Sequence, residues 1–206
     1  MHPAVSYLLC VLIGYLLGTL NLAALLSKIK GVDLRAGGSG NLGASNTVSL
    51  MGWKPGVLVA LHDIAKAALA VWLCRRLFPA LPYSGVLAGV CAVLGHIYPF
   101  YLRFRGGKGF ASYLGMTLML DWHFALAIGV AILVVVLITD YIVLGTMTTV
   151  LSFPVYCAVT EGTVTALLVG LASLVIIFKH RENLVRIANG TEIKVRSAGK
   201  GDYRVK

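Results

Sequence analysis

The sequence predicts an all-α, polytopic membrane protein of about seven transmembrane helices. Three observations predict it. Of the 206 residues, 58% are hydrophobic and only 13% are charged, against about a quarter charged in a soluble domain. The mean hydropathy is +0.86. The apolar residues and the 23 glycines together fill about seven stretches of ~20 residues. Nearly the whole chain is therefore membrane, read as a single integral membrane domain, 1–206, with a polar tail over 179–206.

Each element follows from its punctuation. The first apolar stretch, about 5–26, is long enough to span and ends in Lys28 and Lys30. No basic region precedes it, so it does not read as a cleavable signal peptide. Residues 31–52 are glycine-rich and too polar to cross lipid. The second stretch, about 55–73, opens on Pro55, where a missing N–H costs nothing, and ends at Arg75-Arg76. The third, about 83–101, ends in Arg103-Phe104-Arg105-Gly106-Gly107-Lys108-Gly109. From 110 to 178 the chain is broken at Asp121, Asp140 and Glu161-Gly162. That gives a short stretch ending at Leu120, then about 122–139, 141–159 and 163–178. In the tail, Asn189-Gly190 supplies a helix stop. Cys10, Cys74, Cys91 and Cys157 form no CxxC or Cys/His cluster and read as small core residues, with neither disulfide nor metal implied.

Eighteen Lys+Arg against eight Asp+Glu give a net charge of +10. In a soluble protein that balance points to nucleic acid. In a membrane chain it sets topology and attracts anions, so no nucleic-acid partner is expected. With seven spans, Lys28, Lys30, Arg35, Lys54, Arg103, Arg105, Lys108 and the basic residues of the tail share one side, and Arg75 and Arg76 fall on the other. The basic side is cytoplasmic and the N-terminus outside. A five-span count gives the same sidedness.

Three polar segments follow odd-numbered spans and so meet the same face. The first runs Gly37-Gly38-Ser39-Gly40-Asn41-Leu42-Gly43-Ala44-Ser45-Asn46. Its glycines permit left-handed backbone and convergent N–H groups, while Ser39, Asn41 and Asn46 add side-chain donors. A flexible connector is the plain alternative, yet a linker does not need two asparagines among its glycines. The second, Gly106-Gly107-Lys108-Gly109, has the composition of a phosphate cradle, with an ammonium among backbone amides. It is no Walker loop, since Leu102 stands where the first glycine would be. The third, Lys179-His180-Arg181-Glu182-Asn183 continuing to Glu192, places His180 and Asn183 on one helical face and spaces Glu182 and Arg186 as an i,i+4 pair. An interfacial helix is its plain alternative.

Asp63 and Lys66 lie inside the second stretch, three residues apart, where ionisable groups are costly. A structural ion pair and direct catalysis are equally open for them, and His62 and His96 read as satisfied polar groups within the bundle. No His-x4-Asp dyad, no Gly-x-Ser-x-Gly elbow and no HExxH occurs. What remains is an anion site of amides, hydroxyl and lysine at a membrane surface. A transporter or lipid-anion-binding protein is a rival reading, but the internal symmetry expected of it is not evident.

These residues resemble the motifs of the PlsY family: Ser39-Gly40-Asn41-x-Gly43-Ala44-x-Asn46, Gly106-Gly107-Lys108-Gly109, and Lys179-His180-x-Glu182-Asn183 with Gly190-x-Glu192. The similarity continues through Asp63-x-x-Lys66 and Gly95-His96-x-x-Pro99. The resemblance implies a bacterial plasma-membrane acyltransferase, active on its cytoplasmic face, that moves a fatty acyl group from acyl phosphate to glycerol 3-phosphate. It implies no cofactor, membrane lipids as surroundings, and a functional link to an enzyme that makes acyl phosphate. By position it makes Ser39, Lys108 and His180 catalytic, with Gly38, Gly40, Asn41, Gly43, Asn46, Gly106, Gly107, Gly109 and Asn183 binding substrate. Ser39 and Lys108 contact the acceptor phosphate, 106–109 cradle the acyl phosphate, and the acceptor hydroxyl is activated by the substrate's own phosphate. Two positions depart from the family pattern: Ser49 and Asp140 stand where arginines are usual. Arg35, Lys54 or Arg105 then supply the missing charge, or the chain is a divergent paralogue with a different acceptor.

Overall fold

The structure, a computed structural model, describes residues 2–197, and every helix or turn of regular structure among them is helical. The elements are α1 (Pro3–Thr19), α2 (Leu22–Lys30), α3 (Ala44–Met51), α4 (Trp53–Leu77), α5 (Ser84–Ile97), a 3-10 turn (Phe100–Leu102), α6 (Phe110–Leu120), α7 (Trp122–Thr139), α8 (Ile142–Thr160) and α9 (Thr163–Ala188). Among the described residues, six segments are long and apolar enough to cross a membrane: Pro3–Lys30, which joins α1 and α2, then α4, Ser84–Leu102, α7, α8 and α9. The expected seventh is α6, whose 11 residues rise only about 16 Å, half of a hydrocarbon core of ~30 Å. Residues 198–206 of the expected tail lie outside the described residues. The helices fall into two compact units, one reaching to Met116 and the other Thr117–Ser197.

In the first unit α1 and α5 run parallel with their backbones in contact. A methyl group added at Gly14 would strike the backbone of Ala88, and one at Gly18 that of Ala92. Small residues four apart on both helices allow this approach, which lets membrane helices gain packing without a hydrophobic drive. Cys10, Ala67, Ala70, Cys74, Ala88 and Ala92 complete a core of small side chains from α1, α4 and α5. All four cysteines of the chain are buried and free.

The first span is not the continuous helix that its hydropathy suggests. It breaks at Leu20-Asn21, where Asn21 is extended and its side-chain oxygen accepts the Ala24 N–H at 2.8 Å, capping α2. The break orphans carbonyls at the end of α1. Thr19 O is satisfied by the Tyr101 hydroxyl at 2.6 Å, and Leu20 O by the Lys66 ammonium at 2.6 Å. Gly31, in left-handed conformation, then ends α2 just after Lys28 and Lys30.

In the second unit α7, α8 and α9 are joined by two-residue turns, which makes successive helices antiparallel. Within α7 only Ile128 is buried, so its apolar surface is that of a helix facing lipid. Asp121 caps α7 by accepting the Phe124 N–H at 2.9 Å, and its other oxygen accepts the Tyr156 hydroxyl at 2.5 Å. Phe124 packs against Phe153 and Tyr156, with centroids 4.9 and 4.5 Å away.

Candidate active site

The first polar loop is organised by one buried amide. Asn46, 2% exposed, donates to Leu34 O at 2.7 Å, Asn41 O at 3.0 Å and Gly37 O at 3.3 Å, and accepts the Ser39 N–H at 2.8 Å. The Gly40 N–H closes a turn onto Gly37 O at 3.0 Å, with Gly38 and Gly40 in left-handed conformation. A side chain at Gly38 would collide with the Asn46 oxygen. Leu34 and Leu42 anchor the loop in a core with Ala23 and Val59, and Gly38, Ser39 and Gly40 are left exposed at its tip. Asn46, expected to touch substrate, spends its hydrogen bonds holding Ser39 in place. Ser49, 8% exposed, bonds back to Ser45 O within α3 at 3.1 Å.

The second loop is a tight reversal. Arg103 and Phe104 both adopt left-handed backbone, at about 1–2 kcal/mol each. The chain then returns along the end of α5: Gly106 N–H donates to Ile97 O at 3.0 Å and Gly107 N–H to His96 O at 3.1 Å. Two amides of the expected phosphate cradle thus satisfy carbonyls of α5's last turn. A side chain at Gly106 would strike His96 O and the Pro99 ring, and one at Gly107 the His96 imidazole. Close approach therefore demands glycine at both positions. Half-buried Lys108 follows, and Gly109, also left-handed, leads into α6, where the Tyr113 N–H bonds to Gly109 O at 2.9 Å.

The two loops are strapped together by Arg35. Its guanidinium donates to Leu102 O at 3.2 Å and Arg105 O at 2.9 Å, while Asp33 accepts the Arg35 and Ala36 N–H groups at 2.8 and 3.3 Å. Sequence reasoning treated Arg35 only as a source of charge. The Asp-x-Arg spacing at the entry of a glycine-rich loop was the available signal, because Asp favours such local turns. Asp63, Lys66 and His96 are 2%, 4% and 3% exposed and form one network, with Lys66 Nζ 2.7 Å from Asp63 Oδ1 and 2.9 Å from His96 Nδ1.

In the second unit His180 and Asn183 share a buried face of α9, as their spacing predicts. His180 Nδ1 lies 2.9 Å from Ile176 O; the Nδ1–H tautomer donates there and leaves the lone pair on Nε2. Asn183 donates to Glu192 Oε1 at 2.6 Å, and Arg186 Nε to Glu192 Oε2 at 2.7 Å. The expected Glu182–Arg186 pair is thus corrected. Left-handed Gly190 turns the chain back after α9, and the Thr191 and Glu192 N–H groups bond to Arg186 O at 2.8 and 3.2 Å. Glu192 thereby reaches Arg186 first, while Glu182 stays at the surface 3.5 Å from Arg181. At the α7–α8 turn one Asp140 carboxylate oxygen accepts the Arg196 backbone N–H at 3.0 Å, and the Arg196 guanidinium donates to Leu137 O at 3.0 Å.

The chain matches the family model described as glycerol-3-phosphate acyltransferase over residues 8–190. It is 37% identical to glycerol-3-phosphate acyltransferase 1 of Oceanobacillus iheyensis, covering 93% of this chain and 96% of that one. Identity to the glycerol-3-phosphate acyltransferase of Thermus thermophilus is 42%, covering 88% and 92%. The crystal structure of PlsY (YgiH), an integral membrane glycerol 3-phosphate acyltransferase, in its glycerol 3-phosphate form aligns with TM-score 0.86 at 34% identity, over 92% of this chain and 95% of that one. The lysophosphatidic acid form of the same enzyme aligns with TM-score 0.82 at 33% identity and the same coverage. A match over nearly the full length in sequence and fold leaves one conclusion: the chain belongs to the glycerol-3-phosphate acyltransferase family.

Proposed function

We propose that the chain transfers a fatty acyl group from acyl phosphate to the hydroxyl of glycerol 3-phosphate, giving lysophosphatidic acid. It does so as a multi-pass enzyme of the bacterial plasma membrane, one functional domain over 1–206. With α6 serving as the seventh crossing, its N-terminus is outside, and its active face and tail are cytoplasmic. The hydroxyl oxygen attacks the acyl carbonyl carbon, the bond from that carbon to the phosphate oxygen breaks, and inorganic phosphate leaves. The proton passes to a phosphate oxygen of the substrates. Acyl phosphate already carries a good leaving group, so the protein's task is to position two anions and stabilise negative charge. In this reading Ser39 and Lys108 hold the acceptor phosphate, the 106–109 loop holds the acyl phosphate, and His180 and Asn183 orient substrate. An enzyme that makes acyl phosphate supplies the donor.

The observation that carries this reading is the Arg35 strap, which joins the serine-bearing loop to the lysine-bearing loop through Leu102 O and Arg105 O. The glycerol 3-phosphate and lysophosphatidic acid forms of PlsY support the acceptor and the product. Lys108→Ala and Ser39→Ala are each expected to lower turnover at least ~100-fold, as for loss of a group that stabilises transition-state charge; full turnover in both sinks the assigned site. In sealed vesicles, glycerol 3-phosphate added to the face that is cytoplasmic in the cell is consumed. Consumption from the opposite face overturns the sidedness.

A further inference from the structure

We infer that Asp63, Lys66 and His96 are positioning residues for this reaction: Lys66 pins the break in the first span and the His96 ring at once, and that ring is the floor under Gly107, the residue before Lys108. The inference rests on the reading of Lys108 as the phosphate-binding lysine.

The ammonium of Lys66 has three donors, and three acceptors surround it: Leu20 O at 2.6 Å, Asp63 Oδ1 at 2.7 Å and His96 Nδ1 at 2.9 Å. Accepting at Nδ1 fixes His96 as the Nε2–H tautomer, and Nε2 is the ring atom that a side chain at Gly107 would strike first. The same residue's carbonyl accepts the Gly107 N–H at 3.1 Å. His96 Nδ1 also lies 3.3 Å from Asp63 Oδ1, and His62 Nδ1 3.5 Å from the same oxygen. One lysine therefore ties the end of α1, the middle of α4 and the end of α5 to the loop that carries Lys108. A mere strut has no need of this arrangement. Replacing a buried ion pair by apolar groups is often neutral for stability, whereas ionisable groups kept inside membrane spans are usually functional.

The discriminating variant is Asp63→Asn/Lys66→Met, which removes both charges together and leaves neither unpaired. A structural ion pair predicts that stability and activity both return in the double variant. Positioning predicts that stability returns while activity does not, because Met reaches neither Leu20 O nor His96. The expected result is a melting temperature within ~5 °C of wild type, a kcat at least ~10-fold lower and a KM for glycerol 3-phosphate within ~3-fold. His96→Asn is the second variant: its amide oxygen takes the place of Nδ1 and keeps the Lys66 bond, while the ring under Gly107 is lost. A kcat at least ~10-fold lower is expected there too, and it decides the matter if the double variant does not fold. Unchanged kcat in either folded variant, or a loss in KM alone, overturns the inference. Lys108→Ala is measured alongside. If it is inactive while the double variant is fully active, this inference alone fails; if Lys108→Ala is active, the reading of the site beneath it fails.

Discussion

Asn46 shows how far a single residue determines the first loop. Its two side-chain N–H groups are shared among three carbonyls and its oxygen accepts one amide, all drawn from Leu34 to Asn41, and no other side chain offers two donors and an acceptor of that geometry in so small a volume. In Asn46→Ala each partner that water cannot reach costs about 1–3 kcal/mol. A clearly lowered melting temperature is expected, with turnover reduced at least ~10-fold because Ser39 loses its anchor. Thermal denaturation and an activity assay on the purified variant check this, and an unchanged loop-dependent activity contradicts it. The residue types of this site were legible in the sequence as donors, but their direction was not. An asparagine between glycines reads as a ligand-binding group, and only the fold reveals that it binds its own loop. Arg35 was hidden for the same reason: an arginine at a span end satisfies the positive-inside rule without further explanation.

At the scale of elements, the informative events are at helix ends. The break at Leu20-Asn21 falls inside an apolar stretch, and hydropathy averages over it. The cap-forming Asn21 was the trace it left in the sequence. The glycines at 106 and 107 were readable as permissive backbone, but their close approach to α5 depends on partners ten residues back. Asp121 is a cap that titrates. The Tyr156 hydroxyl, followed by the Phe124 N–H, holds its carboxyl below the ordinary carboxylate pKa. A lowered folded-state value means that Asp121 contributes stability fully above about pH 4, and that this contribution is lost as pH falls through the lowered value. Thermal stability measured from pH 7 downward is expected to decline at the acid end in the wild type. Asp121→Asn, which cannot ionise, should start less stable and lose less across the same window. Parallel curves for the two proteins contradict the assignment.

For the molecule as a whole, composition was enough to specify an all-helical membrane protein, because 58% hydrophobic and 13% charged residues leave no soluble alternative. Six of the expected spans were readable, while the 11-residue α6 is too short for hydropathy to place with the others. The candidate site reads in the sequence as three motifs, and the structure ties the first two together through Arg35. The networks that hold them, through Arg35, Lys66 and Glu192, are long-range and follow from packing. The most direct test of the account is to incubate the detergent-purified protein with acyl phosphate and glycerol 3-phosphate and follow lysophosphatidic acid by mass spectrometry, with acyl-CoA and acyl carrier protein as comparison donors. The expected result is product that depends on acyl phosphate and on glycerol 3-phosphate. Folded protein that hydrolyses acyl phosphate without forming lysophosphatidic acid, or that forms it from the comparison donors alone, would contradict it.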